Sequence, residues 1–276
     1  MNQNPFEAAR QKAELTEGSQ EKNRLWWESL PMTYAEWDKE DRRPKTKEEF
    51  EVLASKFLEA NPWLKNNFDF SAFAGKHILE IGCGTGVASC LFARAGAKVT
   101  SIDITENAVT LARNNARLLG TYVDAIQMDA EKMTFPDGTF DFVFSWGVLH
   151  HTNNPSAAYR HVCRVLKPGG DGLIMVYNKN SLRYYLKGLA WLFLKGKIFA
   201  GENLETVQKF FTDGYYHKHY RPSELKVYLK LAGLTSHEIA FSHMSKKMIP
   251  GVPLAVDNFL KNRFGWFIIV RVCREP

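Results

Sequence analysis

From Lys76 to Tyr177 the chain alternates short apolar runs with longer stretches whose apolar residues recur every three or four positions. The runs predict strands near 77–81, 97–102, 122–127, 140–146 and 172–177, and the longer stretches predict helices near 86–95, 105–119 and 154–166. Such alternation is the signature of a parallel sheet joined by crossover helices. Leu166-Lys-Pro-Gly-Gly170 is a sharp helix stop that leads into the fifth strand. Residues 178–221 then break the rhythm with an apolar, aromatic and basic stretch. A helix restarts at Pro222 and ends near Gly233, and strands near 235–241 and 265–273 finish the chain. The expected fold is α/β, with a mostly parallel sheet of seven strands and helices on both faces.

The segment before this core reads differently. Residues 1–30 are charged and helical in pattern, and Trp26, Trp27, Tyr34 and Trp37 cluster around a break at Pro31. A second helix is expected from about Thr46 to Ala60, opened by the capping box Thr46-Lys-Glu-Glu49 and closed at Asn61-Pro62. Residues 1–70 are therefore expected to form a helical extension that docks through its aromatic rings, and residues 71–276 the main domain, with 178–221 as a cap insertion. Trp26 and Trp27 suit anchoring. Tyr34 and Trp37 suit contact with a ligand.

Composition narrows the picture without deciding it. The chain has 276 residues, 45% of them apolar, enough for one large core domain. Its four cysteines (83, 90, 163 and 273) show no zinc-type spacing, so reduced thiols and no metal are expected. The net charge of +6 is scattered, which argues against nucleic acid and mildly favours an acidic small molecule. No basic-then-apolar leader opens the chain, and a cytoplasmic location is expected. Leu182 to Ala200 is too short and too charged to span a bilayer, being interrupted by Lys187, Lys195 and Lys197. The apolar positions 182, 185, 186, 189, 192 and 193 make it an amphipathic helix: a packed cap, a dimer contact or a surface for peripheral lipid contact. A monomer and a homodimer both remain open.

The most informative chemistry lies at His77-Ile-Leu-Glu-Ile-Gly-Cys-Gly-Thr-Gly86. A glycine loop between a buried strand and a helix lets a ligand approach the backbone and the amide end of the helix. The dinucleotide pattern GxGxxG requires glycine at 87, where this chain has Val87. Glu80, two places before Gly82, would repel phosphate and suits a ligand with an amino or sulfonium charge. Asp103 ends the second strand, 21 residues after Gly82, where a carboxylate can grip a ribose diol.

Glu80, the loop and Asp103 resemble motif I and the following acidic position of class I S-adenosylmethionine (SAM)-dependent methyltransferases. Trp146-Gly-Val-Leu-His-His-Thr-Asn-Asn-Pro155 resembles the segment after strand four in the ubiquinone/menaquinone-methyltransferase-like branch. The resemblance covers residues 70–177 strongly and 215–235 moderately. It implies a sheet whose last strand runs antiparallel, and SAM as the cofactor. It further implies cofactor contacts from Glu80, Gly82, Cys83, Gly84, Gly86, Asp103, Ile104, Asp129, Ala130 and Trp146, with Asp129 accepting from the adenine amino group. Tyr34 and Trp37 would close over the sulfonium, where aromatic faces attract a cation.

Beyond the cofactor the residues leave alternatives. Phe211-Thr-Asp-Gly-Tyr-Tyr-His-Lys-His-Tyr-Arg221 reads either as an aromatic cap wall or as a polar loop before a helix. As a wall it offers Tyr215, Tyr216 and His217 to the substrate, joined by Tyr177 and His150 from the core. Where the acceptor must lose a proton, His217 is the first choice as base and His151 the second, although the double histidine 150–151 occurs across the family on substrates that need no base and reads first as structural or cofactor-adjacent. The reaction implied is in-line methyl transfer to an O, N or C nucleophile of a small-molecule acceptor, a metabolite or natural product ahead of a quinone or lipid. A non-methyl-transfer reaction on the same fold, such as an isomerisation or cyclisation, is the alternative.

Overall fold

The computed structural model describes residues 5–29, 44–243, 249 and 251–276. Tyr34 and Trp37 lie outside them.

Five parallel strands follow the predicted rhythm: β1 (His77–Ile81), β2 (Lys98–Asp103), β3 (Asp124–Gln127), β4 (Phe140–Trp146) and β5 (Leu166–Asn178). The last begins directly at the helix stop. A two-residue strand β6 (His219–Tyr220) precedes β7 (Leu234–Ser242) and β8 (Phe267–Arg274). The order across the sheet is β3-β2-β1-β4-β5-β8-β7, and β8 is antiparallel to both of its neighbours. The sheet thus has eight strands where the pattern predicts seven. Tyr177 pairs with His219 and Asn178 with Tyr220, beyond the point where β4 has ended. Two residues are too few to leave an alternation in the sequence.

Alternate residues of one strand face opposite sides of a sheet. Phe142, Phe144, Leu173 and Met175 join one buried cluster, while Val143, Ile174 and Val176 join the other. Burial on both faces explains why these strands read as unbroken apolar runs. Helices α5 (Val87–Arg94) and α6 (Glu106–Leu118) cover the first face, and α7 (Pro155–Val165) and α9 (Pro222–Leu231) the second.

The N-terminal segment divides in two. Helix α3 (Lys47–Ala60) starts at Thr46, whose hydroxyl accepts from the Glu49 amide. Pro62 opens α4 (Pro62–Asn67) at once, because proline suits the first turn of a helix. Phe50, Leu53, Phe57, Leu64 and Phe68 lie in the same buried cluster as the sheet. Helices α1 (Pro5–Glu14) and α2 (Ser19–Ser29) instead form a hairpin around Ala9, Ala13 and Trp26, against Tyr215. Arg10 donates to the carbonyls of Gly214 and Tyr215, and the Tyr215 hydroxyl donates to Glu14 at 2.6 Å.

In the insertion, α8 (Leu182–Phe193) buries Tyr184, Gly188 and Leu192 and leaves Tyr185, Leu186, Leu189 and Phe193 exposed. The face it packs is therefore rotated from the one its apolar positions predict. Gly188 sets that rotation: a side chain there would meet Leu204 and Gln208, so the close contact falls on the glycine. A further helix, α10 (Leu254–Phe264), lies between β7 and β8 and has no counterpart in the expected elements. No helix among the described residues is long and apolar enough to cross a membrane.

Candidate active site

Ligands of open α/β sheets bind outside the carboxyl ends of the strands, where the strand order reverses. Here that point lies between β1 and β4, and a cavity of about 200 Å³ opens there. Its walls run along the strand ends from β3, at Met128 and Asp129, to β5 and β8, at Tyr177 and Phe267.

The glycine loop forms its floor. The amides of Gly82 and Cys83 both donate to the Ile102 carbonyl, which ties the loop to β2. A Cβ at Gly82 would overlap Val148, and one at Gly86 would sit 2.6 Å from the Ala112 Cα. Gly84 has nothing within 4 Å of its Cβ position, so its open side is the one available to a ligand. Gly82, Cys83 and Gly84 line the cavity. Gly86 does not, and its smallness instead seats α5 against α6.

Three carboxyl groups mark the same end. Asp103 accepts from the Gly84 amide at 3.1 Å and from the Thr105 amide and hydroxyl at 3.0 and 2.9 Å. Burial raises its pKa despite these bonds. Asp129 Oδ1 accepts from the Glu131 amide and from Gln20 Nε2, each at 2.9 Å. Glu80, 4% exposed, is bonded to Ser89, and burial pushes its pKa up to about 8. Ile104 and Ala130 complete this wall. Among the described residues, no lysine or arginine lines the cavity. A phosphate would find no countercharge there, whereas an elongated organic cation would find three carboxyl groups.

The other end is aromatic. Trp146 donates its indole N–H to Asn61 Oδ1 at 2.8 Å and lies beside Trp63. The end of α3, through Phe57 and Asn61, thereby becomes part of the wall. Tyr177 donates to Asp213 Oδ1 at 2.6 Å, and both residues line the cavity.

His151 stands between the two ends. Its Nδ1 is 2.7 Å from the Tyr216 carbonyl, and its buried Nε2 has no partner among the described residues. Burial lowers its pKa. Gly214, at φ +86°, lets the 214–216 turn pass against the imidazole, where a Cβ would strike Nδ1.

Other expected residues fall elsewhere. His150 is fully buried beneath Tyr177, with ring centres 3.8 Å apart, and does not line the cavity. His217 is also outside the cavity wall, and burial pushes its pKa down to about 4. Tyr215 and Tyr216 are drawn away too: Tyr215 by Arg10 and Glu14, and Tyr216 by lending its backbone carbonyl to His151. Trp27, expected only as an anchor, lines the cavity and meets His151 edge-on at 4.9 Å. With Gln20 and Asn23 it forms a roof from α2. Nothing local in a charged N-terminal helix signals that role.

An α/β protein with this strand order, a glycine loop after β1 and an acidic cavity at the strand ends has the fold of the class I SAM-dependent methyltransferases. Comparison with known proteins agrees. A family model described as a methyltransferase domain matches residues 79–174. The ubiquinone biosynthesis O-methyltransferase of Aromatoleum aromaticum is 33% identical over 188 residues, covering 66% of this chain and 74% of that protein. That of Pseudomonas aeruginosa is 33% identical over 207 residues, 74% of this chain and 79% of that protein. Among solved structures, a SAM-dependent methyltransferase from Methanosarcina mazei superposes with a TM-score of 0.55 at 22% identity, covering 78% of this chain and 97% of that one. The cyclase SpnF gives 0.54 at 20% identity, covering 80% and 82%, a likeness of fold alone. The chain belongs to the class I SAM-dependent methyltransferases, in the ubiquinone/menaquinone-methyltransferase-like branch, and S-adenosylmethionine is its cofactor.

Proposed function

We propose that this methyltransferase acts on a hydroxyl oxygen of an aromatic, largely apolar small molecule, with His151 as the general base. The observation that carries this reading is the state of His151. Its Nδ1 is held by a carbonyl, which only accepts, so Nε2 is the basic nitrogen, without a partner among the described residues, on a side chain that lines a cavity with an aromatic end. A neutral base with a free lone pair is what a phenolic hydroxyl needs as it attacks. The relatives' naming as ubiquinone biosynthesis O-methyltransferases supports an oxygen nucleophile on a quinol-like ring.

The carboxyl groups of Glu80, Asp103 and Asp129 suit the cofactor's charged and hydrogen-bonding groups, with Gly82, Cys83, Gly84, Ile104 and Ala130 around them. When bound, S-adenosylmethionine supplies an electrophilic methyl group. The chain contributes position and dryness: Trp146 and Tyr177 confine the acceptor ring, Trp27 closes the cavity from above, and His151 takes the hydroxyl proton at Nε2. The exposed Leu186, Leu189, Phe193, Leu194 and Phe199 beside Lys195 support an acceptor met at a lipid surface. Incubating the enzyme with S-adenosylmethionine and matched phenol, aniline and carbon-acid acceptors, followed by mass spectrometry, tests the reading. The expected product is the methyl ether, and exclusive N- or C-methylation would overturn the assignment.

A further inference from the structure

Helix α2 turns one face to the cavity, and Gln20, Asn23 and Trp27 stand on it three and four positions apart. Gln20 Nε2 donates to Asp129 Oδ1 at 2.9 Å, and Asn23 Nδ2 donates to the His151 carbonyl at 2.9 Å. A carboxylate and a carbonyl only accept, so the nitrogen of each amide must face them. That fixes the other end of each side chain. Gln20 Oε1 and Asn23 Oδ1 are shielded from solvent, and neither has a partner among the described residues. Buried amide oxygens are normally paired, and two orphans on the face of one helix that roofs a cavity point to a ligand bearing N–H or O–H donors.

Asp129 carries the complementary feature. It uses Oδ1 for both of its protein contacts, and Oδ2 makes no hydrogen bond to the described residues. One spare carboxylate oxygen and one spare amide oxygen therefore sit on two side chains that are themselves bonded. A primary aromatic amine has two N–H bonds to give to such a pair. A ring carbonyl in the same place has none.

We propose that Gln20 reads the adenine amino group of the cofactor, Gln20 Oε1 and Asp129 Oδ2 each accepting one of its N–H bonds. The proposal rests on the reading of Asp129 as the adenine contact. It makes α2 a part of the cofactor site that is completed only when the cofactor is bound. The same helix carries Asn23 on the His151 backbone and Trp27 on the His151 ring, so recognition of the base ring closes the roof over the reacting end.

Calorimetry with S-adenosylhomocysteine and its inosine counterpart, whose amino group is replaced by a carbonyl oxygen, separates the possibilities. The wild-type enzyme should prefer the adenosine ligand. Gln20→Met should weaken that ligand roughly three- to tenfold, the worth of one neutral hydrogen bond. It should not weaken the inosine ligand, whose carbonyl oxygen would face Gln20 Oε1 acceptor to acceptor, and retained inosine binding also shows that the site is folded. Hydrogen exchange of the α2 amides should slow on adding S-adenosylhomocysteine to the wild type, and less so in Gln20→Met. An undiminished preference in Gln20→Met would overturn the proposal. Asp129→Asn, measured in parallel, tells which part fails. If it alone erodes the preference, Asp129 is the adenine contact and α2 is not. If Gln20→Met alone does so, Gln20 reads the amine without Asp129. If neither does, both assignments fall.

Discussion

The Nδ1 atom of His151 lies 2.7 Å from the backbone carbonyl of Tyr216, 65 residues further along the chain. The turn that carries this carbonyl also receives Arg10 from α1, at Gly214 and Tyr215. The orientation of the imidazole, the insertion and the N-terminal hairpin therefore share one set of contacts. Disturbing any of the three should be felt at the reacting end of the cavity.

Replacing His151 by Asn keeps a donor for Tyr216 and removes the basic nitrogen. Turnover should fall by about 100-fold or more, the usual contribution of a general base. Affinity for S-adenosylhomocysteine should stay within about twofold. Because burial lowers the His151 pKa, the acid limb of the wild-type rate profile should lie below pH 6.5, with a plateau through neutrality. Steady-state kinetics from pH 5 to 8 checks both points, and full activity of His151→Asn would remove the base from the mechanism.

Gly214→Ala places a Cβ where His151 Nδ1 stands, at a backbone angle that L-residues avoid. The strain should cost about 1–3 kcal/mol in chemical denaturation. The displaced imidazole should also lower turnover by at least about tenfold. A variant that melts earlier but turns over normally would show that the imidazole position is not critical.

Glu80 is held protonated near neutrality, its pKa at about 8 through burial. A cationic ligand beside it favours the carboxylate and expels the proton. Binding of S-adenosylmethionine at pH 7.5 should therefore release protons, seen as a calorimetric enthalpy that changes with the ionisation heat of the buffer. Glu80→Gln should abolish that dependence. An enthalpy independent of buffer in the wild type would mean that Glu80 does not respond to the cofactor.

Four histidines, 150, 151, 217 and 219, are pushed below their usual pKa by burial, His217 to about 4. The unfolded chain takes up their protons near pH 6.5, before the native chain does, so acid favours unfolding. Stability should fall as pH drops from about 6.5 toward 4. Glu80 and Asp103, both raised by burial, work in the opposite sense, their stabilisation being lost as pH rises, for Glu80 from about 4.5 through 8, but they are two groups against four. Melting temperatures of the ligand-free protein at pH 7 and 5 should differ by several degrees. Equal values would place these imidazoles in water.

Asn61→Leu leaves the Trp146 indole N–H without its acceptor, and it also removes the bond from Asn61 Nδ2 to the Phe57 carbonyl. A loss of about 1–3 kcal/mol is expected in urea unfolding. The Michaelis constant for the acceptor should rise more than that for the cofactor, since Trp146 lies at the aromatic end. An unchanged acceptor constant would move the acceptor away from Trp146.

The parts legible in advance were those written in local pattern. Strand alternation, helix stops and the Thr46 cap act over a few residues, so the order of elements from His77 to Met175 could be read directly. The loop at 82–86 with Glu80 and Asp103 was legible for the same reason: its chemistry comes from the ends of consecutive strands. Even there the glycines divide, since Gly84 faces the cavity and Gly86 is required by Ala112. The pairing of β6 and the packed face of α8 escaped because two residues carry no period and because Gly188, not the apolar stripe, sets the close contact.

The sequence by itself therefore determined the α/β architecture, the class of the enzyme and the acidic end of the cavity. Only the tertiary structure decided which aromatic and imidazole groups line the cavity. His217 and His151 carry the same chemistry in sequence, and what separates them is that His151 lines the cavity and His217 does not. Gln20, Asn23 and Trp27 reach their partners across more than 100 residues of chain, and no local period records a contact of that range. The glycine loop is built from adjacent residues and the neighbouring strand end, whereas the roof and the imidazole of the cavity are brought together by the packing of segments that are remote in sequence.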